Sequence, residues 1–243
     1  EVVDMKTYTS FQELDALGEG LAKKYTGNTH RWNSSCFDIE GFITDFLKLP
    51  ILYEAFAEDD PSKIGFLSDG ITPLIVYRAG KKTPIVFPKD TIVIESFLQR
   101  SDESGRRRFT LAHEAAHFIL NRHVPMQTAC FHNEYDHEFH YSGEELAKMF
   151  SLNETLTNRL GAAVLMPPFL VGRALKKYNN GQPIVYYTEG VFAPDTKIRL
   201  QSMSDALGVS YSALINRLRE LRLLECRPIE EYIDHALFPK ASI

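Results

Sequence analysis

The chain has 243 residues, 44% of them hydrophobic and 24% charged, a balance typical of a globular protein with one large domain or a medium domain and an appendage. Its net charge of -5 argues against a protein built mainly to coat nucleic acid, which needs clustered positive charge. The three cysteines, Cys36, Cys130 and Cys226, lie far apart with no CxxC pair, so they suggest no disulfide framework and fit a reducing, cytoplasmic setting. The longest apolar run, "LGAAVLMPPFLVG", is broken by Pro167 and Pro168 and is too short to span a bilayer.

In chain order, "SFQELDALGEGLAKKY" opens with Ser10 as an N-cap and carries apolar residues at helical spacing, predicting an amphipathic helix. A second helix is expected from about Asp38 to Leu47, ended by Pro50 and followed by a strand. From Ile64 to Glu95, β-branched runs alternate with turn signals at Asp69-Gly70, Ala79-Gly80 and Pro88, which predicts three or four short antiparallel strands. "LQRSDESGRRR" reads as a loop, with Thr110 as the cap of the helix that follows; the arginines 106 to 108 form a solvated basic loop or orient a substrate. Another helix is expected from about Glu144 to Met166, broken near Ser151 to Asn153 and stopped by the two prolines. From Asp195 the pattern is helical again. The order is α+β: helix, small antiparallel sheet, paired central helices and a helical C-terminal tail.

Within the run "RRRFTLAHEAAHFIL", three ionisable groups, His113, Glu114 and His117, interrupt an otherwise apolar stretch. On a helix, His113 and His117 stand one turn apart on one face and can reach a single ion. Glu114, beside the first of them, is placed to reach a water at that ion rather than the ion itself. An unpaired carboxylate buried there would cost several kcal/mol or shift its pKa, and a divalent cation resolves the conflict. The bland alternative is a pair of core histidines satisfied by backbone carbonyls.

A catalytic zinc also needs a third protein ligand and an open position. Glu154 in "NETLTNRLGAAVLMP" is the leading candidate: Asn153 can cap its helix, Glu154 and Asn158 share a face, and Gly161 and Ala162 allow close approach to the first helix. Asn158 is then placed to hydrogen-bond the distal nitrogen of a ligand histidine. Alternatively, Glu154 only complements a helix N-terminus, and the third ligand comes from His132, His137 or His140 in the polar segment between the helices.

These two segments together, "RRRFTLAHEAAHFIL" and "ETLTNRLGAAVLMP", resemble the ImmA/IrrE family of bacterial and phage zinc metallopeptidases, and "MSDALGVSYSALINRLRELRLL" is similar to the family's helical ending. The resemblance covers about Ile64 to Leu224. It implies a zincin-type fold, with the HExxH helix packed on a second ligand-bearing helix: a zincin-like metallopeptidase domain over 1–170 and a helical tail with a helix-turn-helix-like pair over 171–243. It further implies one Zn2+ per chain held by His113, His117 and Glu154, with Glu114 as general base. The implied activity is cytoplasmic endoproteolysis of a protein substrate, often a helix-turn-helix repressor. Ala116 and Thr157 depart from the family's usual Gly and Ala, and neither is expected to touch the chemistry. The oxyanion of the reaction needs a further donor, for which His137, His140, Tyr135 and Tyr141 are available.

The tail supplies the rival functions. Ser204 to Leu207, a turn at Gly208, Ser210 as a cap and a helix through Leu221 match a helix-turn-helix outline, the mark of a DNA-binding regulator. From Asp195 to Glu225, however, five basic residues face four acidic ones, so direct nucleic-acid binding is not expected. A non-catalytic zinc-binding interaction protein is the other rival. No membrane association is expected.

Overall fold

A computed structural model describes residues 10–123 and 143–237. The chain divides into two compact units, Glu1–Asn33 with Phe37–Pro167, and Ser34–Cys36 with Pro168–Ile243. Both mix helices with small sheets, an α+β organisation. Among the described residues, no helix is long and apolar enough to cross a membrane.

The first unit begins with α1 (Phe11–Thr29), where the Ser10 hydroxyl accepts from the Glu13 amide and the Glu13 carboxylate accepts from the Ser10 amide. This reciprocal cap satisfies two amides that the helix cannot pair internally. The next helix spans residues 39–46, close to the expected Asp38 to Leu47, but most of it is not α-helical. Asp38 caps a single α-turn, α2 (Ile39–Gly41), which passes into a π-helical turn over Phe42–Phe46. Tyr25 donates to Asp38 at 2.9 Å and packs edge-on against Phe37 and Phe42, tying this turn to α1.

Five strands follow: β1 (Ile51–Glu54), β2 (Gly65–Leu67), β3 (Leu74–Arg78), β4 (Lys81–Ile85) and β5 (Ile92–Glu95). The four strands between Ile64 and Glu95 pair antiparallel, β2 with β5 and β3 with β4. The expectation of a wholly antiparallel sheet needs one correction, since β1 lies parallel to β5 and the order is β1-β5-β2. A parallel pair requires a long crossover, here the whole stretch between β1 and β5. Central β5 is apolar on both faces, with Ile92, Val93 and Ile94 fully buried. Ala79 and Gly80 both take positive φ, the conformation of a two-residue hairpin turn between β3 and β4.

Three-ten turns at Ser96–Gln99 and Ser101–Glu103 lead into α3 (Ser104–His123), which therefore starts six residues before the predicted cap. Thr110 lies inside the helix and donates its hydroxyl to the Arg106 carbonyl one turn back, at 3.0 Å. The three arginines form neither a loop nor a free basic patch. Arg106 lies over Phe97, Arg107 pairs with Glu40, and Arg108 donates to the Phe37 carbonyl. Leu111, Ala112, Ala115, Ala116, Phe118, Ile119 and Leu120 are all buried, so α3 is the unit's central helix.

The partner helix α4 (Gly143–Leu165) runs unbroken, and Asn153 lies within it rather than capping it. α3 and α1 both pack on α4. Two glycines permit this: a Cβ at Gly161 would lie 3.1 Å from the Ala112 carbonyl oxygen, and one at Gly18 would lie 2.6 Å from Ala163 Cβ. Arg159 on α4 and Asp15 on α1 form a half-buried ion pair beside that contact.

The second unit holds α5 (Pro168–Asn179), β6 (Ile184–Tyr187), α6 (Pro194–Leu207), α7 (Tyr211–Glu220), β7 (Leu224–Arg227) and α8 (Ile229–Leu237), with β6 parallel to β7. The sequence reading placed α6 and α7 but missed α5, which starts with Pro168 in its first turn, where proline is tolerated. Gly208 closes α6 in the left-handed conformation and Ser210 caps α7 through the Ala213 amide. Arg217 is 0% exposed and bonds Glu220 at 3.0 Å, which removes one of the tail's five basic residues from the surface.

Candidate metal centre

The helical positions of α3 put His113, Glu114 and His117 on the side of the helix that faces α4 and β2. His113 is partly exposed and His117 is buried. Their rings stand nearly perpendicular, with centroids 4.6 Å apart, and the two Nε2 atoms are 3.0 Å from each other. Glu154, projecting from α4, completes a triangle: its Oε2 is 3.4 Å from His113 Nε2 and its Oε1 is 3.5 Å from His117 Nε2. Among the described residues these three side chains form a group able to bind a metal ion.

The far side of each imidazole is fixed by α4. Asn158 Oδ1 lies 2.9 Å from His113 Nδ1, and Thr157 Oγ1 lies 3.3 Å from His117 Nδ1. An amide oxygen only accepts, so it holds the His113 proton on Nδ1 and leaves Nε2 as a lone pair. A hydroxyl can accept as well as donate, so Thr157 is compatible with the same tautomer at His117, the proton on Nδ1 and a lone pair on Nε2. Two lone pairs and a carboxylate then converge on one point, an arrangement that a cation relieves. Thr157 therefore touches a site histidine, contrary to the expectation from the family pattern. The contact follows from Thr157 being one position before Asn158 and fully buried.

Glu114 does not join the triangle. It is 7% exposed and sits against β2, where it accepts a hydrogen bond from the Leu67 amide. Burial, and then the Glu154 charge, push its carboxyl up to about 8, while the Lys63 ammonium and the Leu67 amide pull it back. A buried carboxyl that holds a proton near neutrality is suited to proton transfer. Lys63, Gly65 and Leu67 were not singled out from the sequence, and no spacing rule connects them to α3. His132, Tyr135, His137, His140 and Tyr141, considered as ligands or oxyanion donors, lie outside the described residues.

The family model Peptidase_M78, described as the IrrE N-terminal-like domain, matches residues 95–219. That stretch contains His113, His117 and Glu154 together with Glu114, Thr157 and Asn158. No curated protein matches the chain.

Proposed function

The chain belongs to the peptidase family of the IrrE N-terminal-like domain, and from that premise and the geometry around His113 we propose a zinc-dependent endopeptidase that cuts a protein substrate. The observation that carries the reading is the spacing of the three donor atoms. In a tetrahedral zinc site with arms of about 2.0–2.1 Å, neighbouring ligand atoms are about 3.3 Å apart. The separations of 3.0, 3.4 and 3.5 Å match that edge length. Two neutral imidazoles and one carboxylate are also a donor set for zinc rather than for calcium or magnesium. The packing of α3 on α4 supports a zincin-type reading, in which the HExxH helix lies against a helix bearing the third ligand.

A bound zinc ion would supply Lewis-acid polarisation of the scissile carbonyl and lower the pKa of water. The remaining chemistry belongs to the protein. Glu114 takes the proton of the attacking water onto a carboxylate oxygen and delivers it to the leaving amine nitrogen. Its burial against β2 keeps bulk water from competing for that proton. Asn158 holds the His113 imidazole in one tautomer, and Asn158 and Thr157 keep the two rings in one orientation throughout. His137, His140 and Tyr141 are the proposed donors to the oxyanion or to the substrate.

The resemblance to ImmA/IrrE peptidases supports a helix-turn-helix transcriptional repressor as the substrate, in the cytoplasm. A substrate trap tests this. Glu114→Gln keeps the zinc ligands and removes the proton acceptor, so a pull-down with that variant should retain an uncut partner that the wild type releases as two fragments. If neither form cuts the captured partner under any condition, the protein is a non-catalytic scaffold.

A further inference from the structure

Between α3 and the sheet, β2 presents its backbone to Glu114. The Ile64 carbonyl accepts from the Glu95 amide and the Ser68 amide donates to the Thr91 carbonyl, both at 2.9 Å. In an antiparallel pair the bonded residues alternate, so Ile64 and Ser68 turn their main-chain groups towards β5, while Gly65 and Leu67 turn theirs to the opposite edge. β2 is the last strand of its sheet, and α3 packs against it. There the Leu67 amide donates to the Glu114 carboxylate. A Cβ built on Gly65 would overlap Glu114 Oε1 and lie 2.7 Å from Thr110 Cγ2. The backbone at Gly65 carries no positive φ among those recorded, so glycine is needed there for space and not for conformation.

We propose that Gly65 is a positioning residue for Glu114: its missing side chain lets β2 close on the carboxylate so that the Leu67 amide holds the base in place. This rests on the peptidase reading above. Glutamate has three rotatable bonds, and a base on so long an arm needs outside restraint to stay within reach of its proton. Both atoms that a Cβ at Gly65 would overlap are side-chain atoms, of Glu114 and Thr110, so the fold can absorb an added methyl by moving them. The carboxylate would have to retreat by roughly 1 Å, and a misplacement of that size costs about 100-fold in rate. Zinc ligation should not change, because the three atoms nearest the added one belong to Glu114 and Thr110 and not to His113, His117 or Glu154.

The test compares wild type, Gly65→Ala, Glu114→Ala and the control Gly20→Ala, whose added Cβ meets nothing within 4 Å. In metal-free protein, hydrogen exchange of the Leu67 amide should quicken at least tenfold in Gly65→Ala and in Glu114→Ala, and not in Gly20→Ala. With zinc bound, a pool of internally quenched peptides should be hydrolysed by Gly65→Ala with kcat about 100-fold lower, KM within about threefold and zinc affinity unchanged. Wild-type kcat in Gly65→Ala, or an unchanged Leu67 exchange rate in either variant, overturns the proposal. If Gly65→Ala does not fold, the exchange rate in Glu114→Ala decides whether the carboxylate holds that amide. A wild type that hydrolyses none of the peptides rejects the peptidase reading itself, and the role of Gly65 falls with it.

Discussion

Asn158 Oδ1 lies 2.9 Å from Nδ1 of His113, a residue 45 positions earlier on the neighbouring helix. The contact does two things at once. It closes α3 on α4 at the depth of the cluster, and it fixes which imidazole nitrogen faces Glu154.

Removing that acceptor should loosen the site without removing a ligand. Asn158→Ala is expected to weaken zinc binding about 10- to 100-fold, the usual worth of such an outer partner. Competition with a chromophoric chelator measures it. Asn158→Asp, which keeps an acceptor, should lose less. Equal affinity in wild type and Asn158→Ala would mean that the hydrogen bond plays no part in holding the metal.

Glu154 is the most exposed of the three clustered side chains, with 51% of its side chain accessible, and it alone comes from α4. Elemental analysis of the purified wild type should give close to one zinc per chain, lost in His113→Ala, His117→Ala and Glu154→Ala. Full zinc retention in Glu154→Ala would move the third ligand to His132, His137 or His140.

The contact of α1 with α4 should be sensitive to a single methyl group. A Cβ at Gly18 would lie 2.6 Å from Ala163 Cβ and 3.1 Å from the Ala163 carbonyl carbon, and backbone cannot step aside as a flexible side chain can. Overpacking of this kind costs about 1–3 kcal/mol, against which alanine returns up to about 1 kcal/mol of helix propensity. Gly18→Ala should therefore unfold at lower denaturant, with a net loss of up to about 2 kcal/mol. Gly20→Ala, two residues on and facing open space, should be neutral or slightly stabilised. A more stable Gly18→Ala would show that the two helices are not in tight contact.

The helical spacing of His113 and His117, and that of Glu154 and Asn158, could be read from the sequence because helix geometry is local and periodic. The small residue Gly161 likewise foretold how closely α3 and α4 approach. What could not be read depends on partners distant in the chain. The parallel pairing of β1 with β5 joins strands some forty residues apart, and nothing in the four residues of β1 encodes direction. Thr110 looked like a cap because threonine favours that position, yet it also bonds back to the preceding turn inside a helix. The placement of Gly65 beside Glu114 was equally hidden. A glycine at the start of a short strand signals a turn or a close approach without saying to what.

The most direct test of the account is the rate of peptide hydrolysis by Glu114→Gln at matched zinc content. Glutamine preserves size and can still accept from the Leu67 amide, and both imidazoles and Glu154 remain, so folding and zinc stoichiometry should equal those of the wild type. With the proton acceptor gone, hydrolysis of the quenched peptides should fall by about two to four orders of magnitude. A Glu114→Gln protein that carries its zinc and cuts at the wild-type rate would contradict the assignment of Glu114 as the base, and with it the mechanism built on this site.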